Sequence, residues 1–364
     1  TMYEPSSQKN YNIEPSISTS YEIGTEFRLF NNRLWGDFNY YTRDDKDQII
    51  SVTSAPQSGY STRKMNAGLI RNRGVELSLG GMPVSTKNWK WEMNFNIAKN
   101  SNKLVELADG VDSYSIYWTS FTTRLYNYAM VGKSLGVITG NTWERDDNGN
   151  IIFHELSASQ KALYGGEYVP TYNQNTLDEL GNFHPDFTGG FNTSISFKNF
   201  RLSANIDFSV GGQIVSYTNM WGSSSGILDK TAELNDRGVN VREPVSKGGG
   251  IHMTGVDQNG NKVDTYVNAK LYYTTASRVW EEWVYDRTYV KLREVSLSYV
   301  FPSQTLKKLN IGLSRASVAI NASNPWLIYS ACPNVDVSEI GMGYFEGGNA
   351  AATRSIGFTV NLAF

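Results

Sequence analysis

Three histidines, a lone cysteine and two Asp/Asn-Gly runs carry the most obvious chemical capacity in this sequence. His154, His184 and His252 form no metal-spaced pair, and none stands beside a Ser or Cys nucleophile motif. His184 precedes Pro185, where a loop contact is the expected role. Cys332 has no second cysteine for a disulfide or a cysteine-based metal cluster. Residues 146–150 (DDNGN) resemble the start of a calcium loop, but the full pattern wants spaced carboxylates and a distal Glu. Asp147-Asn-Gly is equally an ordinary turn former, and the same holds for 257–260 (DQNG). No catalytic residue, metal or cofactor is assigned on this evidence.

Binding chemistry is better represented. Tyr114, Tyr117, Trp118, Trp143, Tyr217 and Trp221 fall in long connecting segments, where flat rings can stack on sugars or grip peptides. The alternative is that they pack the loops together or form an interfacial belt. Trp280 and Trp283, beside Glu281 and Glu282, are expected in an aromatic girdle above the strand that starts near Tyr289. A second group, Arg28, Glu76, Lys90, Glu92, Arg201, Asp207 and Glu294, occupies the polar face of expected strands. These residues either line a passage or pair with one another across strands.

The elements that position them are strands of period two. In 89–98, Trp89, Trp91, Met93, Phe95 and Ile97 oppose Lys90, Glu92, Asn94 and Asn96. The same phase runs through 200–211 and recurs in 21–29, 34–42, 75–79, 191–198, 294–301 and 355–364. Around 311–320 the phase switches from odd to even, which predicts a bulge or a rim-level segment. A soluble sandwich gives the same alternation. Charged residues at strand centres, loops of two sizes and aromatics at strand ends favour an all-β transmembrane antiparallel barrel.

Mean hydropathy is −0.39, and no run of about 18 apolar residues exists, so no transmembrane helix is expected. Net charge is −2, which favours no nucleic-acid partner. Thr1–Met2 opens no signal peptide, so the chain is expected to be a fragment or a processed product. Short links and long loops (44–67, 141–185, 216–287, 329–353) orient the barrel by the rule of short periplasmic turns. Residues 1–18 then read as an external loop leading into a wall over 19–364. Strand parity allows nine or eleven strands; eleven is preferred, with extra strands near 121–131 and 135–143. Phe364 ends an inward-running strand.

Several segments carry a family resemblance, in order along the chain. They are 70–79 (IRNRGVELSL), 88–96 (NWKWEMNFN), 102–105 (NKLV), 131–136 (VGKSLG), 181–192 (GNFHPDFTGGFN), 197–200 (FKNF), 289–299 (YVKLREVSLSY) and 354–364 (RSIGFTVNLAF). Together they resemble the SusC/RagA group of TonB-dependent transporters. Residues 332–338 (CPNVDVS) depart from it, since the group more often shows Asp-Pro followed by an acid. The resemblance implies the C-terminal half of a barrel of about 22 strands, with the plug domain and the remaining N-terminal barrel absent from this chain. It further implies outer-membrane lipid as surroundings, energy through TonB–ExbB–ExbD and a SusD-like surface lipoprotein as lid. The cargo would be a glycan or a peptide, and Phe364 the signal read by the barrel-assembly machinery. The alternatives are a siderophore or cobalamin receptor, a barrel hydrolase, or a scaffold in a larger outer-membrane assembly.

Overall fold

The computed structural model describes the chain apart from residues 1–6, 54–55, 120–122, 310–311, 341–343, 348–349 and 351. Among the described residues, nine consecutive antiparallel strands form one wall: Ile17–Leu29, Leu34–Thr53, Thr62–Ser85, Trp89–Glu106, Phe187–Phe197, Phe200–Val210, Tyr289–Val300, Arg315–Ser330 and Ser355–Ala363. A short tenth strand, Ser7–Gln8, runs parallel to Thr62–Arg63. Every strand expected from alternation lies in this wall, and the first and last strands are its edges.

Registration carries each side chain's face across the sheet. Ile195, Leu202, Leu297, Ile320 and Phe358 form one cross-strand row. The neighbouring row of opposite face holds Glu92, Ser194, Ser203, Ser296 and Asn321. The apolar row is left open among the described residues: Ile320 is 53% exposed and Phe358 68% exposed. An apolar face of that extent is suited to lipid rather than water.

Of the four short links expected, at 31–32, 82–88, 198–199 and 303–308, the first three are short turns between wall strands. Phe30, Asn31 and Asn32 all take positive φ to turn the first hairpin, and Lys198 does so in the two-residue turn before Phe200. The 301–314 link contains a short helix, Ser303–Leu309. The Arg315–Ser330 strand starts after it, in the even phase of Val318 and Ile320, with Leu313 before the strand and Ile311 outside the described residues.

Two expectations fail. Residues 44–67 are not a loop: the Leu34–Thr53 and Thr62–Ser85 strands stay paired to Thr53↔Thr62. At 20 and 24 residues they far exceed the roughly 9–11 residues that cross a bilayer, so the hairpin projects beyond it. The preferred two extra wall strands are also absent. Leu125–Met130 and Val137–Gly140 are strands, but they pair with Ser113–Thr119 and Asp178–Asn182 in a separate four-stranded sheet. The wall therefore has nine strands. Phe121, where one of those strands was expected to begin, lies outside the described residues, as do residues 1–6 of the expected entry loop.

The described residues of 107–186, 211–288 and 331–354 fold into one module at the long-loop end. Besides the sheet just given, it holds a second four-stranded sheet and a three-stranded one, with helices Tyr217–Ser224 and Ala269–Ala276. Its core joins Leu125, Ile138, Met220, Ala276 and Val279 to Trp143, Tyr217, Trp280 and Trp283. Trp280 and Trp283 are fully buried there, so they form no interfacial girdle. The reason is pairing chemistry. Glu281 accepts from the Trp143 backbone N–H at 3.0 Å, and Glu282 from the Trp143 indole at 2.6 Å, which pins this turn inside the module.

Candidate functional site

The module's first sheet has a dry side and a wet side. Along Leu125–Met130, Leu125, Asn127 and Ala129 are buried, which turns Tyr126 and Tyr128 outward. Tyr126 lies opposite Trp118, and Tyr128 opposite Ser115. The rings form a row, with centroids 6.3 Å apart for Trp118–Tyr126 and 5.3 Å for Tyr126–Tyr128. This row lines a cavity of about 820 Å³ between the Ser113–Thr119 strand and the projecting hairpin, which contributes Ser51, Thr62 and Arg63. Tyr114 and Tyr117 line it too, and Arg124 completes the charged rim. The volume is that of a small-molecule or oligomer site.

Three of the six aromatic candidates thus come together: Tyr114, Tyr117 and Trp118. Tyr114 also packs toward Ile50 of the hairpin, and this burial pushes its phenol pKa up. Trp221 is apart, 43% exposed beside Ile227 and Leu228 in an apolar hollow of about 440 Å³. Trp143 and Tyr217 are in the module core, 2% and 4% exposed, where their rings present almost no surface. Tyr126, Tyr128, Arg63 and Arg124 were not singled out from sequence. The alternation of Leu125, Asn127 and Ala129 with Tyr126 and Tyr128 is the local signal for them, but it does not say which sheet the strand joins.

The charged candidates all fall on the wall's polar face, mostly in pairs. Arg28 meets Glu26 at 2.8 Å, and Lys90 meets Glu92 at 3.0 Å. The Arg201 guanidinium donates to the Ser194 hydroxyl at 3.2 Å. Glu76 stands opposite Asn39 and Ala98, and Glu294 opposite Asn205 and Ser323. Asp207 accepts from both Nε and Nη2 of Arg293 at 2.9 Å, and from the Tyr289 hydroxyl at 3.2 Å.

Arg293 leads to a network that sequence reasoning missed. The Lys291 side chain is 2% exposed, and its ammonium donates to Asp336 at 2.7 Å, Glu339 at 2.6 Å and Ser338 at 3.0 Å. Glu339 also takes Arg293. Burial opposes ionisation of Asp336, but Lys291 and the Ser338 hydroxyl and N–H outweigh it and hold that carboxyl low. Lys291 is the main cause of the low pKa of Glu339, and Arg293 adds to it. The segment that departs from the family pattern, around Cys332, is therefore anchored to the wall.

The three histidines and Cys332 lie apart from one another, each with partners of its own. Burial pushes the His184 imidazole pKa down, helped by Arg287, and its ring stacks on Phe183 at 4.3 Å. The His154 Nδ1 accepts from the Gln258 side-chain amide N–H at 3.1 Å, and His252 sits between Asp236 and Asp264. Burial pushes the Cys332 thiol up to about 12, with Glu346 adding to the effect. Asp146 and Asp257 each close a hairpin turn, accepting from the backbone and side chain of the Asn four residues on. Among the described residues, no group of three acidic, His or Cys side chains is placed to hold a metal ion.

Comparison with known proteins gives this arrangement its context. TonB-dependent receptor P3 of Formosa agariphila is 28% identical over 335 residues, covering 90% of this chain and 31% of the relative. TonB-dependent receptor SusC of Bacteroides thetaiotaomicron is 30% identical over 225 residues, covering 59% of this chain and 21% of the relative. The fold is similar to the RagAB peptide importer in its closed-closed state, with a TM-score of 0.69 at 18% identity over 96% of this chain and 35% of that one. In the open-open state the TM-score is 0.68 at 17% identity, over 95% and 34%. The chain spans about a third of the length of these proteins. The model of the TonB dependent receptor-like, beta-barrel family matches residues 1–213, and with a wall of nine strands in barrel register this chain belongs to that family as part of its barrel.

Proposed function

We propose that this chain forms the C-terminal part of the barrel of an outer-membrane importer, driven by TonB–ExbB–ExbD and carrying an oligosaccharide or oligopeptide. The observation that carries the reading is the aromatic cavity of about 820 Å³ mounted on the projecting hairpin, above a wall with one apolar and one polar face. On this reading the apolar rows meet lipid, and the polar face with Arg201, Glu92 and Glu294 lines the lumen. Trp118, Tyr117 and Tyr114 take the cargo as it enters. The remaining wall strands pair with the two edge strands, which cannot stay open in lipid, and the plug fills the lumen beside the polar face. A SusD-like lipoprotein closes the loop module from outside. The neighbouring RagAB is a peptide importer and the relative SusC a TonB-dependent receptor, which supports uptake of oligomers without choosing between them. Phe364, exposed at the end of the last strand, serves barrel assembly on this reading.

The test is growth and uptake. Cells lacking the full-length protein should lose growth on an oligomer as sole nutrient, complementation should restore it, and Trp118→Ala should raise the oligomer concentration needed for half-maximal uptake. A tagged full-length protein should bring a surface lipoprotein with it on purification. Undiminished oligomer uptake in the deletion strain, with no lipoprotein recovered, would remove the proposal.

A further inference from the structure

The cavity's charge is one-sided. Arg63 and Arg124 line it, both exposed, and among the described residues no Asp or Glu does. Arg63 also borders an adjoining cavity of about 390 Å³, with Lys9 and Lys64 and again no carboxylate. Lower on the same hairpin the pattern is different: Arg43 is closed by Asp45 and Arg71 by Asp44, each at 2.7 Å. The chain as a whole carries −2, so the positive trough is local. Unpaired cations on a concave surface concentrate anions and steer them inward.

The rest of the lining specifies what kind of anion. Trp118, Tyr126 and Tyr128 form the ring row, and hydroxyls come from Ser51, Thr62 and Ser115. Aliphatic side chains are limited to Val111 and Ile116, so the discrete sockets that sort peptide side chains are missing. Rings, hydroxyls and guanidinium forks in one continuous trough match a polyhydroxylated chain bearing planar or tetrahedral anions.

Resting on the importer reading for its site, we infer that this trough selects an acidic oligosaccharide. Its carboxylates or sulfate esters meet Arg63 and Arg124, its sugar rings meet the Trp118–Tyr126–Tyr128 row, and Lys9 and Lys64 continue the path. The full-length protein in detergent or nanodiscs is titrated with four probes of matched length: a uronic-acid oligosaccharide, a sulfated one, a neutral one and an acidic peptide. One or both acidic sugars should bind at least tenfold tighter than the neutral sugar, and the preference should fade with added salt. Which of the two binds identifies the anion. Arg63→Ala with Arg124→Ala should abolish the preference while sparing the neutral sugar's affinity, whereas Trp118→Ala should weaken both. If the double variant fails to assemble, the salt dependence of the unsubstituted protein decides instead. Equal binding of neutral and acidic sugars, or tighter binding of the acidic peptide, overturns the inference. The two readings fail separately. Uptake without charge preference removes this inference alone, and arginine-dependent binding without uptake removes the importer.

Discussion

Lys291→Met tests whether the buried charge network holds the 331–354 segment on the wall. The substitution keeps the apolar stem and deletes an ammonium that serves Asp336, Glu339 and Ser338. Removing one partner of a fully buried pair costs about 3–5 kcal/mol, because the other charge stays behind. Here the carboxylates are 20% and 35% exposed and Arg293 still meets Glu339, so a value nearer about 2 kcal/mol is appropriate. At 1.4 kcal/mol per decade, local opening should rise about 30-fold. Cys332 reports it, being the only cysteine, 1% exposed and held four residues before Asp336. Maleimide labelling of the full-length protein at fixed pH should accelerate by that factor, with global stability little changed. Adding Asp336→Asn and Glu339→Gln should restore part of the protection, since neutral amides need no counter-charge. A labelling rate within about threefold of the unsubstituted protein would refute the reasoning. The segment would then be held by contacts such as Asn219 with Pro333 and Asn334.

Acid should open the same segment. Asp336 and Glu339 have depressed pKa values in the folded state, so their contribution is present above the unfolded carboxylate range near pH 4 and is lost as pH falls through the folded values. With the intrinsic exchange rate divided out, amide protection over 331–340 should fall below about pH 4, and protection unchanged to about pH 2 would contradict this. Trp118→Ala should weaken oligomer binding by about 0.5–1.5 kcal/mol without changing thermal stability. Trp280→Ala should instead destabilise the loop module by about 3–5 kcal/mol, seen as a lowered melting temperature. Leu297→Lys places a charge on the apolar face and should cost about 2–4 kcal/mol in lipid, while Ser296→Lys on the polar face should fold normally; refolding into vesicles followed by gel mobility distinguishes them.

The wall was legible because lipid and lumen impose opposite demands on alternate residues, and 89–98 shows it without ambiguity. That signal ends where the bilayer ends. Residues 44–67 read as a long loop because charges replace the apolar alternation from Arg43 onward, yet Arg71–Asp44 and Arg43–Asp45 pairs keep the ladder going on a hairpin that packs Ile50 against the module. Leu125–Met130 alternates as a wall strand does, and only its partners decide which sheet it joins. Trp280 and Trp283 looked interfacial because acids flank them. The contacts that bury them reach residues 138 and 139 positions away, a distance over which local pattern carries no information.

The wall and the module meet at an irregularity that does physical work. Opposite the Phe200–Val210 strand, Leu292 pairs with Ile206 and Glu294 with Asn205, leaving Arg293 as the extra residue. On its other side Leu292 pairs with Trp326 and Glu294 with Ser323, so Asn324, at φ 50, and Pro325 fall in the same break. Proline is tolerated there because a bulge needs no ladder N–H from it. The extra residue lets Lys291, Arg293 and Glu294 all serve the polar side, and the first two of them reach Glu339. Without those pairs the 332–339 stretch would be held only from the module side, by contacts such as Asn219 with Pro333 and Asn334. With both cations committed to it, that segment cannot lift without breaking charge pairs at the wall's rim, which is why a substitution in a wall strand should be read out at Cys332.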